Sequence, residues 1–186
     1  MSLLRLDGVA CRRGGRLLFE GLSLTLAPGE AAVATGPNGI GKSSLLRLAA
    51  GLLEPAAGTV EAGSIALADD RLALDERQNL DAALSFWAAL DGGDAKPAMA
   101  AMGIGHLAEA PVRILSTGQR KRATLARVIA SGAALWLLDE PANGLDVEGV
   151  ELLTAAMAAH RAAGGAILAA THQPLGLADA KKVALA

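Results

Sequence analysis

The sequence predicts an α/β domain on a mostly parallel sheet, with an N-terminal antiparallel β layer and a short helical subdomain in its middle. Three observations carry this. Short apolar runs of strand length, at residues 30–35, 134–138 and 166–170, alternate with stretches of helical length. Residues 3–26 instead form two adjoining strand-like runs about a Gly14-Gly15 turn, the pattern of a hairpin. Residues 70–112 carry only helical patterning, as an all-helical insertion would.

Each element follows from local signals. After the hairpin, residues 30–35 form a short buried strand that enters a glycine-rich loop. A helix is predicted over residues 42–52, stopped by Gly51 and Pro55. Residues 59–68 are strand-like, and residues 75–90 and 96–102 are helical. A helix over 117–129 follows a polar loop, then the buried strand 134–138, a helix over 147–161 and the strand 166–170. Residues 183–185 make a last edge strand. The 186 residues suit one compact domain, so residues 1–186 are taken as a single unit that can bury a core without disulfides or metals. The aromatic side chains besides histidine are Phe19, Phe86, Trp87 and Trp136, so helix packing must rely on small and aliphatic residues.

Composition excludes several function classes. A formal net charge of -2 gives no global basic field to attract nucleic acid. The single cysteine, Cys11, has no intrachain disulfide partner, which fits a reducing compartment. The first residues, with Arg5 and Asp7, lack the apolar core of a signal peptide. No apolar run is long enough to span a bilayer, so a membrane role must come through a partner.

The chemistry is concentrated in a few motifs. Gly36-Pro37-Asn38-Gly39-Ile40-Gly41-Lys42-Ser43 fits the phosphate-loop pattern, between a buried strand and a helix as that pattern requires. Glycines let successive backbone N–H groups turn inward on an anion, and the following helix adds its positive end. Lys42 is expected at the β- and γ-phosphates and the Ser43 hydroxyl on Mg²⁺, with Ser44 completing the ATP-binding set. The strand 134–138 runs into Asp139-Glu140-Pro141, two acids at the sheet edge where α/β ligands bind. Asp139 suits Mg²⁺, directly or through water, and Glu140 suits the general base for an in-line water.

Leu115-Ser116-Thr117-Gly118-Gln119 precedes Arg120-Lys121-Arg122 and a helix. A Ser hydroxyl, a Gly N–H and a helix N-terminus make a second anion site. This stretch resembles the LSGGQ signature of the ATP-binding cassette family, with Thr117 in place of the first glycine. Phosphate loop, signature and acidic strand end also appear in cassette order. Asn143-Gly144-Leu145-Asp146 falls at the family's D-loop, and His172, after the strand 166–170 and Thr171, matches its switch histidine. The resemblance implies ATP hydrolysis with Mg²⁺ at composite sites. Ser116, Thr117, Gly118 and Gln119 would contact ATP held by another copy, and Asp146 would lie at the dimer interface. His106 and His160 have no such setting, and Arg120, Lys121 and Arg122 are taken as a solvated helix face.

Over essentially its whole length the chain is most similar to the haem-exporter ATPases of cytochrome c biogenesis. The carrying residues include Leu17-Leu18-Phe19-Glu20-Gly21-Leu22-Ser23, Leu145-Asp146-Val147 with Gly149-Val150, and Thr171-His172-Gln173-Pro174-Leu175. The similarity implies a membrane-embedded B component, other cytochrome c maturation proteins and a place on the cytoplasmic face of the bacterial inner membrane. Whether haem is moved or a loaded chaperone is released stays open, as does another small-cargo or lipoprotein transporter. A soluble non-transport cassette protein normally needs a coiled-coil insertion or tandem cassettes, and 186 residues hold neither. A binding-only clamp would have no use for Glu140.

Besides Thr117, the chain departs from the family in a short helical insertion, which implies a reduced partner-binding surface, and at two further sites. Cassettes usually stack adenine on an aromatic residue, but the positions here are Cys11, Arg12 and Arg13, of which Arg13 offers a guanidinium plane. Where the family has its Q-loop glutamine, Asp69-Asp70 stand, and Gln78 lies too late. Asp69 or Asp70 then meets Mg²⁺ or water, or the contact is absent.

Overall fold

The computed structural model describes residues 2–177 and 179–185, so only the two ends of the 1–186 span and Ala178 lie outside it. Three strands, β1 (Leu4–Arg13), β2 (Arg16–Leu26) and β4 (Ala57–Ala62), form an antiparallel sheet in the order β2-β1-β4. Five others form a parallel sheet in the order β5-β6-β7-β3-β8. They are β3 (Ala31–Thr35), β5 (Ile65–Ala68), β6 (Leu135–Asp139), β7 (Ala166–Ala170) and β8 (Lys181–Ala184). The helices are α1 (Lys42–Ala49), α2 (Leu80–Asp91), α3 (Ala95–Ala101), α4 (Thr117–Ala130) and α5 (Val147–Ala162).

Side-chain alternation divides the parallel sheet between two cores. On β6, Leu135 and Leu137 join the antiparallel sheet and α1, while Trp136 and Leu138 face the other helices. On β7, Leu168 takes the first side and Ile167 and Ala169 the second. Both cores are filled largely with alanine and aliphatic residues, as the lack of aromatics required.

Two expectations are corrected. The strand-like run 59–68 is two strands in different sheets, broken at Gly63 and Ser64. Gly63 N–H donates to Leu3 O at 3.0 Å, and the Ser64 hydroxyl accepts from Ala134 N–H at 2.9 Å, so the two halves are held by different partners. The helix placed from residue 75 begins at Leu80. Asp75 closes a turn on Arg77 N–H, and Asn79 caps the helix through Ala82 N–H. Leu80 and Leu84 are fully buried in the helical region, so their face is a packing face.

His160 has a structural role. Its ring stacks on Trp136 at 3.9 Å with a 9° tilt, and Nε2 lies 3.2 Å from Ala166 O. The ring occupies the space a side chain on Gly165 would need, since a Cβ there would fall 2.2 Å from it. Gly165→Ala is therefore expected to cost about 1–3 kcal/mol by overpacking, read as a lower denaturant midpoint. Burial pushes the His160 imidazole below its ordinary 6.5. The unfolded chain then binds the proton first, so stability falls as pH drops below about 6.5 and levels off below the folded-state value. His160→Phe, which keeps a ring on Trp136, should flatten that slope; an unchanged slope in urea titrations across pH would exclude His160 as its source.

Candidate active site

Parallel strands bring the site together because their C-terminal ends share one edge. β3 leads into the phosphate loop, β6 into Asp139 and Glu140, β7 into Thr171 and His172, and β5 into Asp69 and Asp70. The loop wraps the start of α1. Gly41 there has φ +121°, and a Cβ on it would press on Leu18 and Phe19 at 3.2–3.3 Å, so only glycine lets β2 pack onto the loop. α1 begins with no side chain capping it, whereas Asn79, Asp94, Ser116 and Asp146 cap the four other α-helices. Its free N–H groups are left for an anion. Lys42 is buried and donates to Gly36 O at 2.7 Å and Pro37 O at 3.2 Å, so its ammonium already lies inside the loop.

Ser43 and the Asp139 carboxylate line the same two clefts, which brings two hard oxygens together beside the loop. Burial raises the Asp139 carboxyl above its usual range. The nearby Ser43 hydroxyl works against that shift, and the neighbouring Glu140 charge adds to it. Glu140 is the one non-glycine residue with positive φ among the described residues, at +43°. Such a conformation costs free energy and persists only where the surroundings hold it. Here Glu140 N–H donates to Ala170 O at 2.8 Å, and Asn143 N–H donates to Glu140 O at 3.2 Å. Its carboxylate accepts from the Thr171 hydroxyl at 3.1 Å and lies 3.0 Å from His172 Nδ1. An ionised carboxylate only accepts, so Nδ1 carries the hydrogen in that pair.

One cleft of about 450 Å³ is lined by Asn38, Gly39, Gly41, Lys42, Ser43 and Ser44, with Arg13, Asp139 and Glu140. Ile40 packs against the core beneath the loop. A neighbouring cleft of about 520 Å³ holds Ser43, Asp139 and Glu140 together with Asp69, Asp70, Thr117 and Lys121. Ser116, Gly118, Gln119 and Asp146 line a third, of about 520 Å³, which shares no residue with the first. Ser116 and Gln119 form a reciprocal cap on α4, with Ser116 Oγ accepting at 3.3 Å, so the hydroxyl hydrogen stays available. Thr117 departs from the other signature residues by facing the middle cleft. Gln78, judged too late for the site, lines a different hollow with Phe86 and Trp87.

The basic triplet is not a solvated face. Arg122 is only 8% exposed and bridges Asp146 at 2.6 Å and Glu148 at 3.1 Å. Asp146 also caps α5 through Gly149 N–H, so it is engaged within its own chain. Arg120 donates to Leu115 O, Arg113 O and Glu76. Lys121 is half-buried, points into the middle cleft and lies 3.4 Å from Asp139 O; burial lowers its pKa, and the charges of Asp139, Asp70, Glu140 and Asp69 oppose that. Lys121, Arg47 and Thr171 were missed in the sequence. Thr117, Lys121 and Thr124 line one cleft at helical spacing, as do Ser43 and Arg47, so periodicity carried a signal.

The family model described as ABC transporter matches residues 19–143. Two curated relatives are both called cytochrome c biogenesis ATP-binding export protein CcmA. The one from Zymomonas mobilis is 57% identical, over 95% of this chain and 81% of its own length. The one from Sphingopyxis alaskensis is 58% identical, over 95% of this chain and 93% of its own. A solved structure described as the ATP binding subunit of an ABC transporter is 21% identical and superposes with a TM-score of 0.88, over 98% of this chain and 85% of that one. The last likeness shows the fold, and the matched family with the close relatives settles membership: the chain belongs to the ABC transporter family, among its ATP-hydrolysing subunits.

Proposed function

We propose that this chain is the ATP-driven motor of a membrane export complex for cytochrome c maturation, closing as a pair around two ATP molecules. The observation that carries the ATPase reading is Glu140, held by Thr171 and His172 beside an uncapped phosphate-binding helix. The names of the relatives support the export role in cytochrome c biogenesis. Among the described residues no helix is long and apolar enough to cross a membrane, so the coupling needs an embedded partner. That partner is the B component of the exporter, with further cytochrome c maturation proteins, at the cytoplasmic face of the bacterial inner membrane. The cargo is haem, or the work is release of the haem-loaded chaperone. Nothing in the net charge of -2 favours nucleic acid as a partner.

In the reaction, ATP and water give ADP and phosphate. Lys42 exchanges the carbonyls of Gly36 and Pro37 for phosphate oxygens, and the α1 N–H groups receive the same charge. Ser43 and Asp139 suit Mg²⁺, since both offer hard oxygens at one point. Among the described residues no cluster of three or more His, Cys, Asp or Glu could hold a metal, so most ligands would be triphosphate and water. When bound there, Mg²⁺ would neutralise phosphate charge and orient the leaving group. Glu140 accepts a proton from the attacking water, and His172 and Thr171 keep its carboxylate aimed. Asp69 and Asp70 line the cleft that Ser43 and Asp139 share, and either would meet the same cation or a water there.

The second copy enters through geometry. The phosphate-loop cleft and the signature cleft share no lining residue, so one chain does not close both on one ATP. A two-fold pair brings Ser116 and Gly118 of one copy to the nucleotide held by Lys42 of the other, with the Asp146 loops at the join.

Lys42→Ala is expected to abolish ATPase activity while circular dichroism stays native; full activity in a contaminant-free preparation would remove the phosphate-loop role. Glu140→Gln keeps the shape and one accepting oxygen but not the base, so turnover should fall about 10²–10⁴-fold with ATP still bound. That variant should accumulate as an ATP-loaded dimer by size-exclusion chromatography with light scattering, while the parent chain in ADP stays monomeric. An ATP-bound Glu140→Gln monomer at high concentration would refute composite sites for the isolated chain.

A further inference from the structure

Arg13 and Arg16 are direct cross-strand partners at the tip of the first hairpin. The turn between them is only Gly14-Gly15, with φ +54° and +79°, the backbone of a tight type I′ hairpin turn. Directly opposed residues present their side chains on the same face, and like charges placed so destabilise the sheet. A compensating carboxylate would be expected, yet among the described residues neither arginine makes a salt bridge or a side-chain hydrogen bond. The pair is therefore poorly explained by the stability of the hairpin.

Its location supplies a reason. Arg13 lines the phosphate-loop cleft. Phe19 and Leu18 press β2 onto Gly41, so the hairpin is pinned against the nucleotide loop. None of the residues lining this cleft is aromatic. A nucleotide whose phosphates lie in the loop would extend its base toward Arg13, with Arg16 opposite it on the same face of the hairpin.

We propose that the purine is held by a clip of two guanidiniums, Arg13 and Arg16, and that the site accepts guanine about as well as adenine. This deepens the nucleotide reading above and rests on it. A guanidinium plane stacks on any base face. Its N–H groups only donate. Guanine offers O6 and N7 as acceptors on one edge, whereas adenine pairs its N7 acceptor with an N6 donor. The accepting side chains of the cleft, Asn38, Ser43, Ser44, Asp139 and Glu140, belong to its phosphate end, so no side chain there selects the adenine amino group. The base also separates the two charges and adds contacts that the free hairpin lacks.

The test uses the whole chain with Mg²⁺ and calorimetric titration of ADP, GDP and pyrophosphate, which avoids turnover. ADP and GDP should bind within roughly tenfold of each other, and both more tightly than pyrophosphate, since only they present a base. Arg13→Ala and Arg16→Ala should each weaken both purine nucleotides by roughly 2- to 30-fold, the affinity equivalent of one cation–π contact, with little change for pyrophosphate. Arg13→Tyr should keep purine binding, and Arg16→Ala should leave the melting temperature unchanged or higher because a like-charge pair is gone. A preference for ADP over GDP beyond about 100-fold would overturn the proposal, a gap that a site without base-edge selection does not produce. So would equal losses for pyrophosphate and ADP, which would make the arginines a general anion attraction, or unchanged ADP binding in Arg16→Ala. Absence of binding by all three ligands to the parent chain would instead fail the nucleotide site itself, and the clip with it.

Discussion

The hydrogen bond from Glu140 N–H to Ala170 O, 2.8 Å long, is the constraint on which the chemistry depends. It continues the β6–β7 ladder one residue beyond Asp139, paired with Ala170, and it does so with Glu140 turned into left-handed backbone. A regular strand would send the next side chain to the opposite face. The turned backbone instead keeps the Glu140 carboxylate beside Asp139 and within reach of Thr171 and His172, which follow directly on the partner strand. One strained residue thus joins two strand ends into one constellation, and the cost is offset by the buried sheet on either side.

Charge balance around that constellation is unusually local. Asp69, Asp70, Asp139 and Glu140 approach from two strand ends, while Lys121 reaches them from α4 and Arg47 from α1. The Arg47–Asp69 pair, at 4.0 Å and partly exposed, contributes little by itself. The half-buried Lys121 matters more, because taking an ammonium from water requires nearby negative charge to offset it. The helix that carries the signature motif is therefore tied electrostatically to the acids at the sheet edge of its own chain.

Much of this was legible in the sequence, and the reason is contiguity. The phosphate loop, Asp139-Glu140 and Thr171-His172 are each a short string at the end of an apolar run, and a parallel sheet places such ends together without further information. Residues whose position depends on helix rotation were harder to find. Lys121 and Arg122 are neighbours in a basic triplet, yet one faces the nucleotide side and the other bridges to Asp146 and Glu148. The split of residues 59–68 between two sheets was hidden for a similar reason. It is set by Leu3 and Ala134, which lie far away in the chain. The start of α2 at Leu80 was likewise decided by distant carbonyls, since Leu80 and Asp81 donate to Ala110 and Ala108.

The Arg122 bridge carries a mechanical consequence. Its guanidinium touches Met102 O at the end of the α3 region, Asp146 at the cap of α5 and Glu148 in the first turn of that helix, while its own backbone belongs to α4. Three segments that meet nowhere along the chain share one nearly buried cation. Both carboxylates are largely exposed, so the bridge contributes modest energy, and what it fixes is the relative placement of these segments. The signature helix, the start of α5 and the end of α3 are thereby joined through one side chain, so the position of the Asp146 loop is tied to that of the helical insertion.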